Sequence, residues 1–231
     1  MTRAVLLVLG MAHQGMAQDA ATKYTKMAPV DQYLMASRDA EVALARSAAP
    51  GSISRNAGVL VLGPHGFESA VKGKNGFVCL VGRGWSSAPA ADFWNPNVRV
   101  PMCVNAPAAR SYLLRVTTIT DLALRGRTAA QVNEAMAAAV EKKELPPMEP
   151  GAMCYMMSKE GDGGDSIPHW PSHLMFFFPD VDPAMWGANQ PGAPVFGVAD
   201  SSEHLTQFVI PVQHWSDGTE DLPASPTHAH Q

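Results

Sequence analysis

Charged residues are scarce in this chain. Asp, Glu, Lys and Arg make up 16% of its 231 residues and leave a formal net charge of −4. No cluster of Lys and Arg occurs, so the basic face that meets nucleic-acid phosphates is missing. Cysteine is sparse too: Cys79, Cys103 and Cys154 are too few for a disulfide scaffold. No apolar run reaches the ~20 residues that a spanning helix needs. Common catalytic signatures are also absent. There is no Gly-x-Ser-x-Gly elbow, no His-Glu-x-x-His, no Cys-x-x-Cys and no Gly-x-x-x-x-Gly-Lys phosphate loop. Gly82-Arg83-Gly84 lacks the spacing of a nucleotide loop. These absences argue against a nucleic-acid partner and against an integral membrane segment once the first residues are removed. They leave enzymatic activity open.

The first residues follow the pattern of a secretory signal. Arg3 precedes an apolar run from Ala4 to Ala12, and the small residues Gly15 and Ala17 precede a cleavage point at Gln18. The expected division is a signal peptide over 1–17, a flexible N-terminus over 18–28, one α+β domain over 29–215 and a disordered tail over 216–231. The mature protein is expected to be secreted or periplasmic. An oxidising compartment would pair two of the three cysteines. Cys79 and Cys103 are nearest in sequence, and closing a loop of that length is worth about 3 kcal/mol in the chain-entropy model. Cys154 then remains a thiol inside an apolar strand.

Periodicity sets the order of elements. Residues 30–48 are rich in Ala and Leu, lack Gly and Pro, and stop at Pro50-Gly51, which predicts an N-terminal helix. Three strands follow at 57–63, 67–73 and 77–83. Asn75-Gly76 predicts a hairpin between the last two, since both residues accept positive φ. Residues 84–106 read as a long connection carrying Trp and Pro. A central helix pair comes next, and Thr128-x-x-Gln131 provides a capping box for its second member. Four strands close the domain at 151–159, 173–181, 194–198 and 205–215. The expected fold is α+β: a single, mostly antiparallel sheet of about six or seven strands, with the helices on one face.

Chemistry concentrates at 161–183, Gly-Asp-Gly-Gly-Asp-Ser-Ile-Pro-His-Trp-Pro-Ser-His and the strand that follows. His169 and His173 are four apart, but Pro168 and Pro171 disfavour a helix between them. An extended segment would hold the two rings about 13 Å apart. A turn could close that gap, with Asp165, His65 or His204 completing a site for one divalent metal ion. Asp162 and Asp165 invite a calcium reading but lack the order of an EF-hand loop. The methionines Met153, Met156 and Met157 lie among strand residues and read as core. Trp85, Trp94, Trp170 and Trp186 fall in loops and are candidates to line a ligand pocket.

The blocks Ala40–Ser54, Lys74–Val81, Pro150–Lys159, His169–Phe177 and Pro211–Thr219 together resemble a group of uncharacterised exported bacterial proteins. The resemblance spans most of the mature chain and implies export; it brings no activity with it. That group carries a His-Trp-His-Pro-His pattern. Pro171 and Ser172 stand here where the middle His and the Pro would be, which removes one prospective ligand. The first expectation is therefore a secreted protein that binds a small molecule or a metal through 161–183 and the Trp-bearing loops. A metal-assisted hydrolase using His169 and His173 is the second, and an envelope protein with a structural or interaction role the third.

Overall fold

The computed structural model describes residues 23–87, 90–167 and 169–222. The expected signal peptide, the start of the flexible N-terminus and the tail from 223 onward lie outside these residues.

Eight strands form one mixed sheet. They are β1 (Gly58–Gly63), β2 (Gly66–Val71), β3 (Val78–Gly82), β4 (Val100–Val104), β5 (Met153–Met156), β6 (His173–Phe178), β7 (Phe196–Asp200) and β8 (Leu205–Pro211). Their order across the sheet is β2-β1-β3-β4-β5-β6-β8-β7. Among the described strand pairs, β1 and β3 run parallel and the rest antiparallel.

Six or seven strands were expected; the additional one is β4, inside the segment that reads as a connection. Pro101 hides it. The Arg99 N–H bonds to the Asp162 carbonyl and the Asp162 N–H to that of Arg99, at 2.9 and 2.7 Å. Two residues on, position 101 points its nitrogen the same way. There the pairing of β4 with β5 has already ended at Cys103, so the missing N–H costs no ladder bond.

Asn75-Gly76 makes a turn but not the predicted hairpin. Asn75 accepts from the Phe77 N–H, and Gly76 takes φ +79°. The hairpin forms one step earlier, between β1 and β2, where Gly63 faces Gly66 across Pro64-His65. β1 therefore lies between β2 and β3, and the link from β2 must pass around its start. It passes closely: a Cβ on Gly73 would lie 2.3 Å from the Gly58 nitrogen.

Cys79 and Cys103 face each other across β3 and β4 and form a disulfide. Cys154, on β5 beside Val104, is a buried thiol. Burial pushes its pKa up to about 12, so it packs as a small apolar group.

Helices cover both faces of the sheet, a correction to the single covered face expected. One face meets α1 (Arg38–Arg46), whose Leu44 and Ala45 pack on Val59, Val61, Val81 and the disulfide. Two single-turn helices flank the first strands: α2 (Gly51–Ser54) precedes β1 and α3 (Gly84–Ser87) follows β3. The other face meets α4 (Ala106–Arg110), α5 (Tyr112–Leu124) and α6 (Ala129–Glu141). Here Val116 of α5 joins Leu80, Met102 and Val104, the alternate residues of β3 and β4. Double coverage explains why β3 and β4 are apolar almost throughout.

The predicted helix over 30–48 is broken in two. Val30–Tyr33 form a 3-10 turn, and α1 restarts after Ser37, whose side chain accepts from the Ala40 N–H. Carbonyls that a continuous helix would use are taken by arginines. Arg83 Nε donates to the Tyr33 carbonyl at 2.7 Å, and Arg99 reaches that of Gln32. The expected capping box of α6 is present, with Thr128 and Gln131 exchanging hydrogen bonds.

Candidate functional site

The glycines of 161–164 exist for packing. Cβ atoms on Gly161 and Gly163 would lie 3.1 and 2.7 Å from the Trp170 ring, so this backbone is a bed for the indole. Gly164 takes φ +92° beside Asp92. Asp92 is buried and accepts from the N–H groups of Asp165 and Ser166 and from Asn95 Nδ2. Burial alone would raise its pKa, but these bonds and that from the Ser166 side chain outweigh it and hold the carboxyl below its usual value. The loop is thus clamped from beneath by one carboxylate.

The expected metal ligands do not converge. Asp165 is exposed and receives Lys23 Nζ and the Tyr24 hydroxyl. His169 Nε2 lies 3.2 Å from Asp221 Oδ1, on a segment that folds back over the loop. His173 is buried, with Nδ1 2.7 Å from the Pro171 carbonyl. Of the two candidate third histidines, His204 pairs with Asp180, and His65 sits in the β1–β2 turn. Among the described residues no three His, Cys, Asp or Glu side chains are placed to hold a metal ion. The physical reason is that each side chain has its own partner: Asp165 meets Lys23 and Tyr24, His169 meets Asp221, and His173 meets the Pro171 carbonyl. Residues 216–222, read from sequence as tail, are part of that arrangement. The Ser216 N–H bonds to the Met157 carbonyl, and Asp221 Oδ2 accepts from the Ser172 N–H.

What the structure does form here is a cleft of about 500 Å³, within the range of small-molecule sites. Its floor is the sheet, where Met175 of β6 and Gln207 and Val209 of β8 share one face. One wall is α5, which presents Tyr112, Arg115, Val116 and Ile119 at helical spacing. Tyr112 is fixed by stacking on Phe177, with ring centroids 3.7 Å apart. Trp85, held by a bond from Nε1 to Thr120, and Trp170 with Ile167 close the far side. The cleft exists because α4–α6 cover the β1–β5 half of this face and stop short of β8 and β7.

Two of the four tryptophans therefore line the cleft and two do not. Trp94 is core, 4.6 Å from Phe93 and with its carbonyl bound by the Tyr33 hydroxyl. Trp186 stacks on Phe208 at 4.2 Å. Phe208 alternates with Gln207 and Val209, so Trp186 lies on the opposite face of the sheet.

Besides Gln207 on the floor, polar groups are few and lie toward the ends. At one end His173 commits Nδ1 to Pro171 and leaves Nε2 without a partner among the described residues. A carbonyl accepts only, so Nδ1 carries the proton and Nε2 of the neutral ring is the acceptor; burial lowers the pKa and favours that neutral form. At the other end Arg115 is 2% exposed. It donates to the carbonyls of Pro146 and Glu203, and its Nε lies 3.5 Å from Glu203 Oε2. Burial lowers the Arg115 pKa and raises that of Glu203, which Asp200 raises further. Arg115, Tyr112, Glu203 and the floor residues were not singled out from sequence. The stripe on α5 and the alternation in β8 were visible there, but both read equally well as core.

No protein-family model matches the sequence, and no curated protein or solved structure does either.

Proposed function

We propose that this is an exported binding protein that takes a small, largely apolar molecule into the cleft between α5 and the β6–β8 floor. The observation that carries the reading is the cleft itself. It is concave and mostly apolar, with the Gln207 amide on its floor and the remaining polar groups toward its ends, the usual composition of a ligand site. Export is supported by the Cys79–Cys103 bridge, by the signal-like first residues and by the resemblance to exported bacterial proteins. Among the described residues no helix is long and apolar enough to cross a membrane.

The test is calorimetric titration of the full-length protein with decanol, a neutral apolar probe, beside Met175→Trp and Val209→Trp. Both positions are partly exposed on the floor, so an added indole enters open space rather than the core. Saturable binding is expected in the parent and is lost in both variants, with melting temperatures unchanged. Absence of saturable binding, or binding that survives both indoles, would overturn the reading.

A further inference from the structure

We infer that the ligand is an amphiphilic cation: an apolar body bearing an amine or quaternary ammonium that sits beside Asp200 and Glu203. This rests on the cleft being a binding site and adds the sign of charge that it selects. After Lys159 the sequence contains no Lys or Arg, while acids continue throughout. That stretch supplies β6, β7 and β8, the floor and outer end of the cleft. Among the described lining residues Arg115 is the one Lys or Arg; its Nη atoms donate to the Pro146 and Glu203 carbonyls, while its buried Nε makes no hydrogen bond and lies 3.5 Å from Glu203 Oε2. Its charge is balanced by Glu203 at the same end. Asp200 is then left over.

Asp200 is exposed on β7 and uses Oδ1 to accept from Ser202 and the Glu203 N–H; Oδ2 has no partner among the described residues. Asp200 pairs with Leu205, so its side chain shares the floor's face. Phe196 and Val198 are exposed on that face and extend the floor past β8. From Leu205 to Val209 the floor runs about 13 Å. It leads from the acids to His173 Nε2, which accepts rather than donates. A body laid along it therefore has Asp200 Oδ2 at one end and His173 Nε2 at the other. A cation gains Coulomb attraction at the Asp200 end, which an anion would meet as repulsion.

Three probes with one tail separate the claims: decyltrimethylammonium, decanol and decanoate, each titrated into the full-length protein below its micelle-forming concentration. The cation should bind about tenfold more tightly than decanol, and decanoate more weakly than either. The cation's advantage should shrink at least threefold in Asp200→Asn, which keeps the Oδ1 acceptor, and also at high salt. Binding to Met175→Trp should vanish for every probe. Equal affinities, or tighter decanoate, would overturn the charge assignment and leave the cleft reading intact. Failure of all three probes would overturn both.

Discussion

Glu41 and Arg83 are enclosed where α1 meets the sheet, with side chains 3% and 0% exposed, and their removal tests how this fold is pinned. Arg83 donates to the Tyr33 and Val81 carbonyls and, through Nη2, to Glu41 Oε1 at 3.0 Å. The same oxygen accepts from the Leu62 N–H. Glu41→Ala therefore leaves a buried guanidinium uncompensated and strands one backbone donor. Breaking such a pair costs about 3–5 kcal/mol. For a domain of this size that is roughly 10 °C in melting temperature. Arg83→Met should cost a similar amount, because it leaves the buried carboxylate without its counter-charge, holding only the Leu62 N–H, and removes the side-chain donor from two carbonyls. The double variant should be less destabilised than the sum of the two by about 2 kcal/mol, since neither leaves the other charge alone. Urea unfolding is the assay of choice, because guanidinium salt would screen the charges being measured. A loss below about 1 kcal/mol for Glu41→Ala, or strict additivity, would refute the account, for then water must reach the pair.

Reduction of the Cys79–Cys103 bridge, which closes a sequence separation of 24, should cost about 3 kcal/mol, read as a lower urea midpoint. An unchanged midpoint would sink the claim. Asp92 has a folded pKa held below its unfolded value of about 3.9. Its stabilisation is full above that value and is lost as pH falls through the folded pKa, so Asp92→Asn should flatten the acid limb of stability. Identical acid limbs in the two proteins would count against it. His173 is buried with a lowered pKa, so the unfolded chain takes up a proton first as pH falls. Stability should decline below about pH 6.5, and His173→Gln should remove that step; a parent protein with no such step would contradict the burial argument.

Much of the architecture was legible because local rules decided it. Thr128 and Gln131 mark the start of α6 in any context, and the last four strands follow from apolar runs bounded by turns. The disulfide partners could be named from their spacing, on the expectation of an oxidising compartment. The misreadings came where distant groups outvoted a local signal. Arg83 and Arg99 claim the carbonyls of 32–34 and break a helix whose composition is favourable throughout. Asn75-Gly76 forms its turn, but β1 lies where the hairpin partner was expected. Pro101 hides a strand because its cost depends on whether a neighbour faces its nitrogen.

The same division holds at the site. By itself the sequence determined the apolar strand at 173–178, the loop rich in glycine before it and the acidic character of everything after Lys159. Those are properties of composition and period. It could not decide that Trp170 would lie on Gly161 and Gly163, or that His169, His173 and Asp165 would each find a separate partner. Nor could it decide that α5 would stop beside β6 and leave the face of β8 open. The pairing of Asp165 with Lys23, of His169 with Asp221 and of Tyr112 with Phe177 depends on which surfaces meet across more than about fifty residues of chain. Such meetings are fixed by packing of the whole core, and no window of sequence contains both partners.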